Sequence, residues 1–369
     1  MDAKKILSSI TDKISGISLF SGSSIIGVDI GLSSIKLAEV IKLSQNKFKV
    51  QKFVSVPLPE GAIIEDEIQK EDEILQAIQK GLKKLSSSTR FANVGLSGPN
   101  TLIKKLQLAG GSLQEIGEQA IWESEQYLPF PIEEGAVSYS IIGENTGGGV
   151  DVIIGAAKKT VVDTFKSLAD RSGFKVKIVD VSAAALANVF ENTIGLELLV
   201  QGKTWGVLDI GAQKTQLLIY KNGLLVFFKE VNAGGLTITE EIQRQMGVNF
   251  EEAESLKIYG DGNGNIPEEI VEIINHVLDT FLGELKKTID FWRSSSAEEA
   301  FDGCFITGGT AQIIGIQEAL EDVFEADVKL LNPFSVMTYN ENFFNDELIN
   351  ELTYRGITAI GLSMRGMPK

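Results

Sequence analysis

The chain is poor in the residues that build reactive or cross-linked sites. Its 369 residues include one cysteine, Cys304, and one histidine, His276. A lone cysteine excludes an intramolecular disulfide framework, fits a reducing cytoplasm and rules out a Cys-rich zinc site. A lone histidine excludes multi-histidine metal sites and leaves little scope for a Ser-His-Asp triad. His276 falls in an amphipathic stretch with Ile270, Ile274, Val277, Phe281, Leu285 and Ile289, which makes it a helix-surface residue. No apolar run reaches the roughly 18 residues of a membrane span. Residues 1–20 lack the apolar region and cleavage site of a signal peptide. Positive charge is also scarce: 34 Lys and Arg stand against 50 Asp and Glu, a net charge of −16. That balance argues against a general binder of nucleic acid or anionic membranes.

What is present is ordinary for a globular α/β protein, with 43% apolar and 23% charged residues in a chain long enough for about two domains. Its most telling feature is a motif that occurs twice, 180 positions apart. Ile25-Ile26-Gly27-Val28-Asp29-Ile30-Gly31-Leu32-Ser33-Ser34-Ile35-Lys36 returns as Trp205-Gly206-Val207-Leu208-Asp209-Ile210-Gly211-Ala212-Gln213-Lys214-Thr215. Each copy reads as an apolar strand ending in Asp-Ile-Gly, a small polar turn and a second strand. A third strand follows at Phe48–Val56 and at Leu224–Val231, the latter introduced by the hairpin signal Asn222-Gly223. A Gly after the strand-ending Asp lets backbone N–H groups approach phosphate oxygens. The Asp suits Mg²⁺ held through water, Ser33 and Ser34 can donate to phosphates, and Lys36 can reach them as a point charge. Two such hairpins suggest two halves of one molecule facing each other across a cleft.

Periodicity places a helix at about 71–85, a strand at Asn93–Ser97, and a helix at Leu113–Tyr127. Strands follow at Ala136–Ile142 and Val150–Ala156, then a helix at Val161–Asp170. The stretch 102–173 reads as a small α+β subdomain inserted in the first half, with an exposed Gly-rich loop at 143–149. Strand Lys175–Asp180 and helix Ser182–Phe190 return to the main domain. The second half reads as helices at about 236–246, 250–258 and 267–292, then strand Gly303–Thr307 and a further helix. Gly308-Gly309-Thr310 between them either lets backbone pass close to a planar ligand or makes a tight connection. Gly202-Lys203-Thr204 is no Walker A motif, because Glu197 stands where its first Gly belongs and a strand follows. Ile6, Ile10 and Ile14 allow a short N-terminal helix, a flexible arm or partner contact with little membrane attraction.

In this order the elements resemble the actin/Hsp70/FtsA nucleotide-binding superfamily. Gly27–Lys36 and Val207–Thr215 are similar to its two phosphate motifs, and Phe305–Thr310 to its adenosine motif. Asp180–Ala187 and Ile357–Ser363 occupy the two crossover segments. Gly234-Gly235 and the pair Glu254/Lys257 match further nucleotide contacts, although three-apart Glu and Lys also form ordinary surface ion pairs. Within the superfamily the chain is most similar to the PilM family of type IV pilus assembly. Trp122-Glu123-Ser124-Glu125-Gln126-Tyr127-Leu128-Pro129-Phe130-Pro131-Ile132, Val207–Gln213 and Glu251–Lys257 carry that likeness.

The resemblance implies an actin-like (RNase H-like) two-domain α/β fold with a central nucleotide cleft and an FtsA-type inserted 1C subdomain. The implied division is a tail at 1–24, a first-domain core at 25–103 and 174–200 with a closing helix at 357–367, and the insert at 104–173. The second-domain core then covers 201–235 and 300–356, and a helical subdomain 236–299. It implies ATP and Mg²⁺ as ligands. Asp29 and Asp209 would hold the metal. The nucleotide would meet Gly31, Leu32, Ser33, Ser34, Lys36, Gly211, Ala212, Gln213, Lys214, Thr215, Gly234, Gly235, Glu254, Lys257, Gly308, Gly309 and Thr310. It also implies a place at the inner face of the cytoplasmic membrane in twitching motility. There the protein would grip the cytoplasmic tail of a PilN-like partner and meet other inner-membrane pilus components indirectly, with homo-oligomer formation left open. Trp122, Tyr127, Leu128 and Phe130 form a Pro-flanked apolar edge that suits a peptide groove, or else they pack the subdomain's own core.

Two rivals come from the same superfamily. An FtsA-like cell-division protein would end in a linker and an amphipathic membrane helix, whereas this sequence stops at Lys369. A sugar-kinase-type phosphotransferase needs a carboxylate base over its hydroxyl substrate, and no clear one is visible. Where superfamily ATPases carry Gly-Gly-Thr-Thr-Asp after the second motif, this chain has Ala212-Gln213-Lys214-Thr215-Gln216. With Gln216 in the acidic position and only Asp180 left to polarise a water, slow or absent hydrolysis is expected.

Overall fold

The computed structural model describes residues 24–44, 46–64, 67–145, 147–261, 265–296 and 300–367. The expected N-terminal helix around Ile6, Ile10 and Ile14 lies outside the described residues. Two compact units divide the chain. One holds the residues up to Thr193 with Val336–Leu348 and Thr358 onward, and the other holds Ile194–Ser335 and Ile349–Ile357.

In the first unit, β1 (Ile25–Ile30), β2 (Ser34–Ser44) and β3 (Lys47–Pro57) form an antiparallel meander. A two-residue pair, β4 (Ile63–Ile64) and β5 (Glu67–Ile68), stands apart. β6 (Phe91–Leu96) runs parallel to β1. β7 (Thr101–Leu108), β8 (Gly135–Glu144) and β9 (Val150–Lys158) form a separate sheet ordered β7-β9-β8. β10 (Lys175–Val181) joins the main sheet beside β6.

Alternation along the meander turns Val28, Ile30, Ile35, Leu37, Val54 and Val56 into one core with Ile74, Ile78 and Leu85 of the helix Glu71–Leu85. That helix fits its dipole, with Glu71, Asp72 and Glu73 in its first turn and Lys83 and Lys84 in its last. The opposite face receives the helices Ser182–Asn192 and Ile357–Met364. Small residues set this approach: a Cβ on Gly27 would sit 2.6 Å from Ser363 N, and one on Gly95 2.9 Å from Ser182 Oγ. Ser363 Oγ donates to Ile25 O (2.6 Å) and accepts from Val40 N (2.9 Å).

The β7-β9-β8 sheet has its own core, in which Leu106, Leu108, Val152 and Ile154 meet Ile116 and Ala120 of the helix Leu113–Ser124. Beyond Ser124 the chain tightens to a 3₁₀ turn over Glu125–Tyr127, so the expected 113–127 helix ends one turn early. The helix Lys159–Arg171, placed in the insert by pattern alone, instead gives Phe165, Leu168 and Ala169 to the main core. Its apolar stripe marks a buried face and says nothing about which sheet does the burying.

In the second unit, β11 (Thr204–Ile210), β12 (Thr215–Lys221) and β13 (Leu224–Val231) repeat the meander. Asn222 (φ 54°) and Gly223 (φ 81°) supply the two left-handed residues that a tight hairpin needs. β14 (Gly303–Thr307) and β15 (Val328–Leu330) add parallel strands, giving the order β13-β12-β11-β14-β15. Leu208, Ile210, Leu217 and Ile219 pack under the helices Gly235–Met246, Glu268–Ser296 and Ile316–Phe324. His276 is exposed on the long helix. Cys304 is buried, which pushes its thiol pKa well up and leaves it unreactive. The segment 336–348, expected in the second domain, belongs to the first unit, where β16 (Thr338–Tyr339) pairs parallel with β3.

Candidate functional site

The two Asp-Ile-Gly segments form the same local structure. In β1–β2 the register sets Asp29 opposite Lys36 and Ile30 opposite Ile35; in β11–β12 it sets Asp209 opposite Gln216 and Ile210 opposite Thr215. Each turn is closed by one equivalent bond, Gly31 N to Ser34 O at 3.1 Å and Gly211 N to Lys214 O at 2.9 Å. In both, the residues flanking the Asp point into the hydrophobic core, so the Asp points to the other face of its sheet.

In the first hairpin, Lys36 Nζ lies 3.5 Å from Asp29 Oδ2. A Cβ on Gly31 would sit 2.8 Å from that ammonium and 3.2 Å from Ser34 O, so glycine keeps the turn compact. Ser33 is exposed and Leu32 half-buried. Ser34 is buried, and its Oγ has no hydrogen-bond partner among the described residues. A cation, an orphaned hydroxyl and a bare turn are the chemistry an anionic group requires.

The second unit brings more of the expected residues together. Gly235 N donates to Gly211 O (3.1 Å) and Leu236 N to Ala212 O (2.7 Å), which seats the start of the helix Gly235–Met246 on the hairpin turn. Thr310 Oγ1 donates to Gly211 O at 2.8 Å. Gly308 has φ 96°, and a Cβ there would approach Asp209 Oδ1 to 2.5 Å. Its N–H donates to Tyr354 O (2.8 Å), while Gly309 lies against the Arg355 side chain. Gly211, Ala212, Gly234, Gly235, Gly308, Gly309 and Thr310 therefore converge beside Asp209.

Glu254 and Lys257 join the same cluster. Lys257 is only 5% exposed, which rules out a plain surface pair. Its Nζ donates to Gly235 O (3.1 Å), to Thr239 Oγ1 (2.7 Å) and to Glu254. Burial pushes its pKa down, and Glu254 opposes that shift. Two expected contacts are otherwise engaged: Thr215 Oγ1 donates to Ala233 O (2.8 Å), and Lys214 Nζ pairs with Glu230 at 2.9 Å. Gln213 stays half-buried in the turn itself. Thr239, Glu230 and Arg355 were not visible as site residues in the sequence, because only the packing of separate helices brings them in.

Asp180 is not an open base. Its Oδ1 accepts from Val181 N (3.0 Å), and Arg365 Nε forms an ion pair with its Oδ2 at 2.7 Å. In the insert, Trp122 is 71% exposed and Tyr127 is exposed, with Lys104 Nζ 3.7 Å above the Tyr127 ring. Leu128 is half-buried. Phe130, expected at the same edge, is buried, with its ring against Gly135. Among the described residues no three His, Cys, Asp or Glu cluster as a metal site, and no helix is long and apolar enough to cross a membrane.

A family model described as type IV pilus assembly protein PilM matches residues 27–367. The cell division protein FtsA of Enterococcus faecalis is 24% identical over 372 residues, covering 87% of this chain and 81% of its own. FtsA of Streptococcus pneumoniae is 24% identical, covering 93% and 82%. Among solved structures, the PilM-PilN type IV pilus biogenesis complex superposes with a TM-score of 0.81 at 24% identity, over 95% of this chain and 100% of that one. EutJ from Carboxydothermus hydrogenoformans gives 0.53 at 14% identity, over 98% and 97%. The fold shared with these structures is actin-like.

Proposed function

We propose, from the premise that this chain belongs to the type IV pilus assembly protein PilM family, that it is an ATP-binding part of a pilus assembly platform. In that role it works at the inner face of the cytoplasmic membrane and holds the N-terminal tail of a PilN-like partner. The observation that carries the nucleotide half is the duplicated hairpin, closed twice by the same Gly N–H bond beside a strand-ending Asp.

The residues fit an Mg²⁺–nucleotide. The carboxylates of Asp29 and Asp209 each offer oxygens that would suit a hydrated Mg²⁺ through its waters. Lys36 and the Ser34 hydroxyl supply a charge and an orphaned donor for phosphate oxygens. Gly234, Gly235 and Gly308 let the hairpin turn, the helix start and the loop after β14 pack against one another beside Asp209, with Glu254 bordering them. Magnesium would neutralise phosphate charge. The protein groups orient the phosphates and keep the turn rigid. With Gln216 opposite Asp209 and Asp180 paired to Arg365, neither position offers a free carboxylate as a base. ATP thus serves as a switching ligand that favours one conformational state through its differential affinity.

For the partner, support comes from the PilM-PilN complex among the structural neighbours and from the exposed Trp122 and Tyr127. Phe130 is buried, so the accessible part of the expected edge is Trp122 and Tyr127. A short tail would rest on two or three apolar anchors, and the net charge of −16 would speed capture of a basic one. The test is calorimetric titration of the full chain with the N-terminal peptide of the co-encoded PilN-like protein, with and without Mg-ATP. Trp122→Ala should weaken it about tenfold or more. Unchanged affinity in both Trp122→Ala and Tyr127→Ala would place the groove elsewhere.

A further inference from the structure

In a chain of net charge −16, two stretches are wholly without acid. Residues 40–59 hold four lysines and no Asp or Glu, and residues 74–114 hold five lysines and one arginine, again with none. Strand direction brings much of both to one end of the first unit. β2 runs away from the Asp29 turn and β3 begins where β2 ends, while β6 and β10 run parallel to β1 and so begin at that same far end. The helix Glu71–Leu85 finishes there too, just before β6. Lys47 and Lys49 of β3, Lys83 and Lys84 of the helix's last turn, Arg90 and Lys175 therefore gather at one edge. Hydrogen bonds tie the pieces together. Lys52 Nζ donates to Ser86 O (2.6 Å), Arg90 Nη1 to Ser87 O (2.6 Å) and Thr89 O (2.9 Å), and Lys175 N to Arg90 O (2.7 Å). All these acceptors are neutral. Among the described residues, none of Lys47, Lys49, Lys52, Lys83, Lys84 and Arg90 takes part in an ion pair, and nor does Lys175.

The helix dipole accounts for Lys83 and Lys84 alone. It gives no reason for cations at the start of β3, at Arg90 or on β10. Salt screens charges more than about 8 Å apart at physiological ionic strength, so acids elsewhere do not cancel this edge, and the local field is positive on an acidic protein. The cations are spread over a hairpin, a helix end and two strand starts, which matches a plane of distributed negative charge better than a single phosphate. Leu43, 54% exposed near the end of β2, adds an apolar tip at the same edge. We propose that this end of the first unit binds the anionic headgroups of a lipid bilayer directly, with Leu43 entering the interface. The proposal deepens the membrane-face role given above and rests on it. Basic side chains alone give reversible attachment, and a partner's tail held at the same membrane would lengthen it by raising the effective concentration.

The test is sedimentation of the full chain with vesicles of pure phosphatidylcholine and with vesicles that also contain phosphatidylglycerol. Binding should appear only with the anionic lipid and be lost in about 1 M salt. Each lysine at an anionic surface is worth about fivefold in partition. Lys47→Gln/Lys49→Gln and Lys83→Gln/Lys84→Gln should therefore each lower binding about tenfold or more, while Lys47→Arg/Lys49→Arg should bind as the wild-type chain does. Lys286→Gln/Lys287→Gln removes the same charge from exposed positions of the second unit, and should leave binding within about twofold. An equal loss in that control, or no preference for phosphatidylglycerol, would overturn the proposal. So would wild-type self-association that the Lys47/Lys49 and Lys83/Lys84 variants abolish with no vesicle binding, since the edge would then meet an acidic surface of a second copy. The vesicle assay contains no partner peptide or nucleotide, and the titration with the PilN-like tail contains no lipid, so failure of one leaves the other standing.

Discussion

Gly308 and Gly309 adjoin in sequence, yet their substitutions should behave differently. Gly308 adopts φ 96° and leaves no room for a Cβ beside Asp209 Oδ1 and the Ile210 backbone, whereas a Cβ on Gly309 would meet only the flexible Arg355 side chain at 3.3 Å. Gly308→Ala should cost about 1–3 kcal/mol of stability through backbone strain and displace the Asp209 carboxylate; Gly309→Ala should remain within about 0.5 kcal/mol. Urea unfolding of the two variants measures this, and equal effects would refute the account of the turn. The sequence showed the Gly-Gly pair but not which member was indispensable, since that depends on a dihedral angle and on a neighbour 99 positions away. Lys257 was similarly half legible: its spacing to Glu254 was visible, but the inward hydrogen bonds to Gly235 O and Thr239 needed the packed helices.

At the level of elements, the helix Leu113–Ser124 carries a complete capping box: Ser112 accepts from Glu115 N, and the Glu115 side chain accepts from Ser112 N at 2.7 Å. Ser112→Ala should cost about 0.5–2 kcal/mol, read as loss of helix protection in hydrogen exchange confined to the insert. The Ser112 backbone and side-chain hydrogen bonds hold the Glu115 carboxyl below its usual pKa. A carboxyl depressed in the folded state stabilises above the ordinary carboxylate pKa of about 4.3. That stabilisation is lost as pH falls through the lower folded value. Insert protection should therefore be flat from neutral pH to about 5 and decline below it, and a decline already at pH 6–7 would contradict the box. Strands and helices of this subdomain could be read from periodicity because each buries one face. Membership of the helix Lys159–Arg171 could not, since a stripe of Phe165, Leu168 and Ala169 suits either sheet. The two-residue β16 fell below any pattern, being fixed by its pairing to β3.

For the whole molecule, the repeat 180 residues apart made the two-unit architecture legible in the sequence, because each half must build the same turn to expose the same backbone, and the resemblance of the ordered motifs implied the actin-like fold. The catalytic outlook follows from the same comparison. With Asp180 paired to Arg365, turnover of ATP by the purified chain should stay below about 1 s⁻¹, the low end of ordinary enzymes, and a phosphate-release assay giving faster turnover would contradict the switching role. The most direct measurement is the dissociation constant for Mg-ATP of the wild-type chain beside Lys36→Ala and Asp209→Ala. Each variant removes a charged contact from a different hairpin, worth about 1.5–3 kcal/mol. The account predicts that each weakens binding roughly 10- to 100-fold, and unchanged affinity in both would show that the duplicated hairpins do not hold the nucleotide.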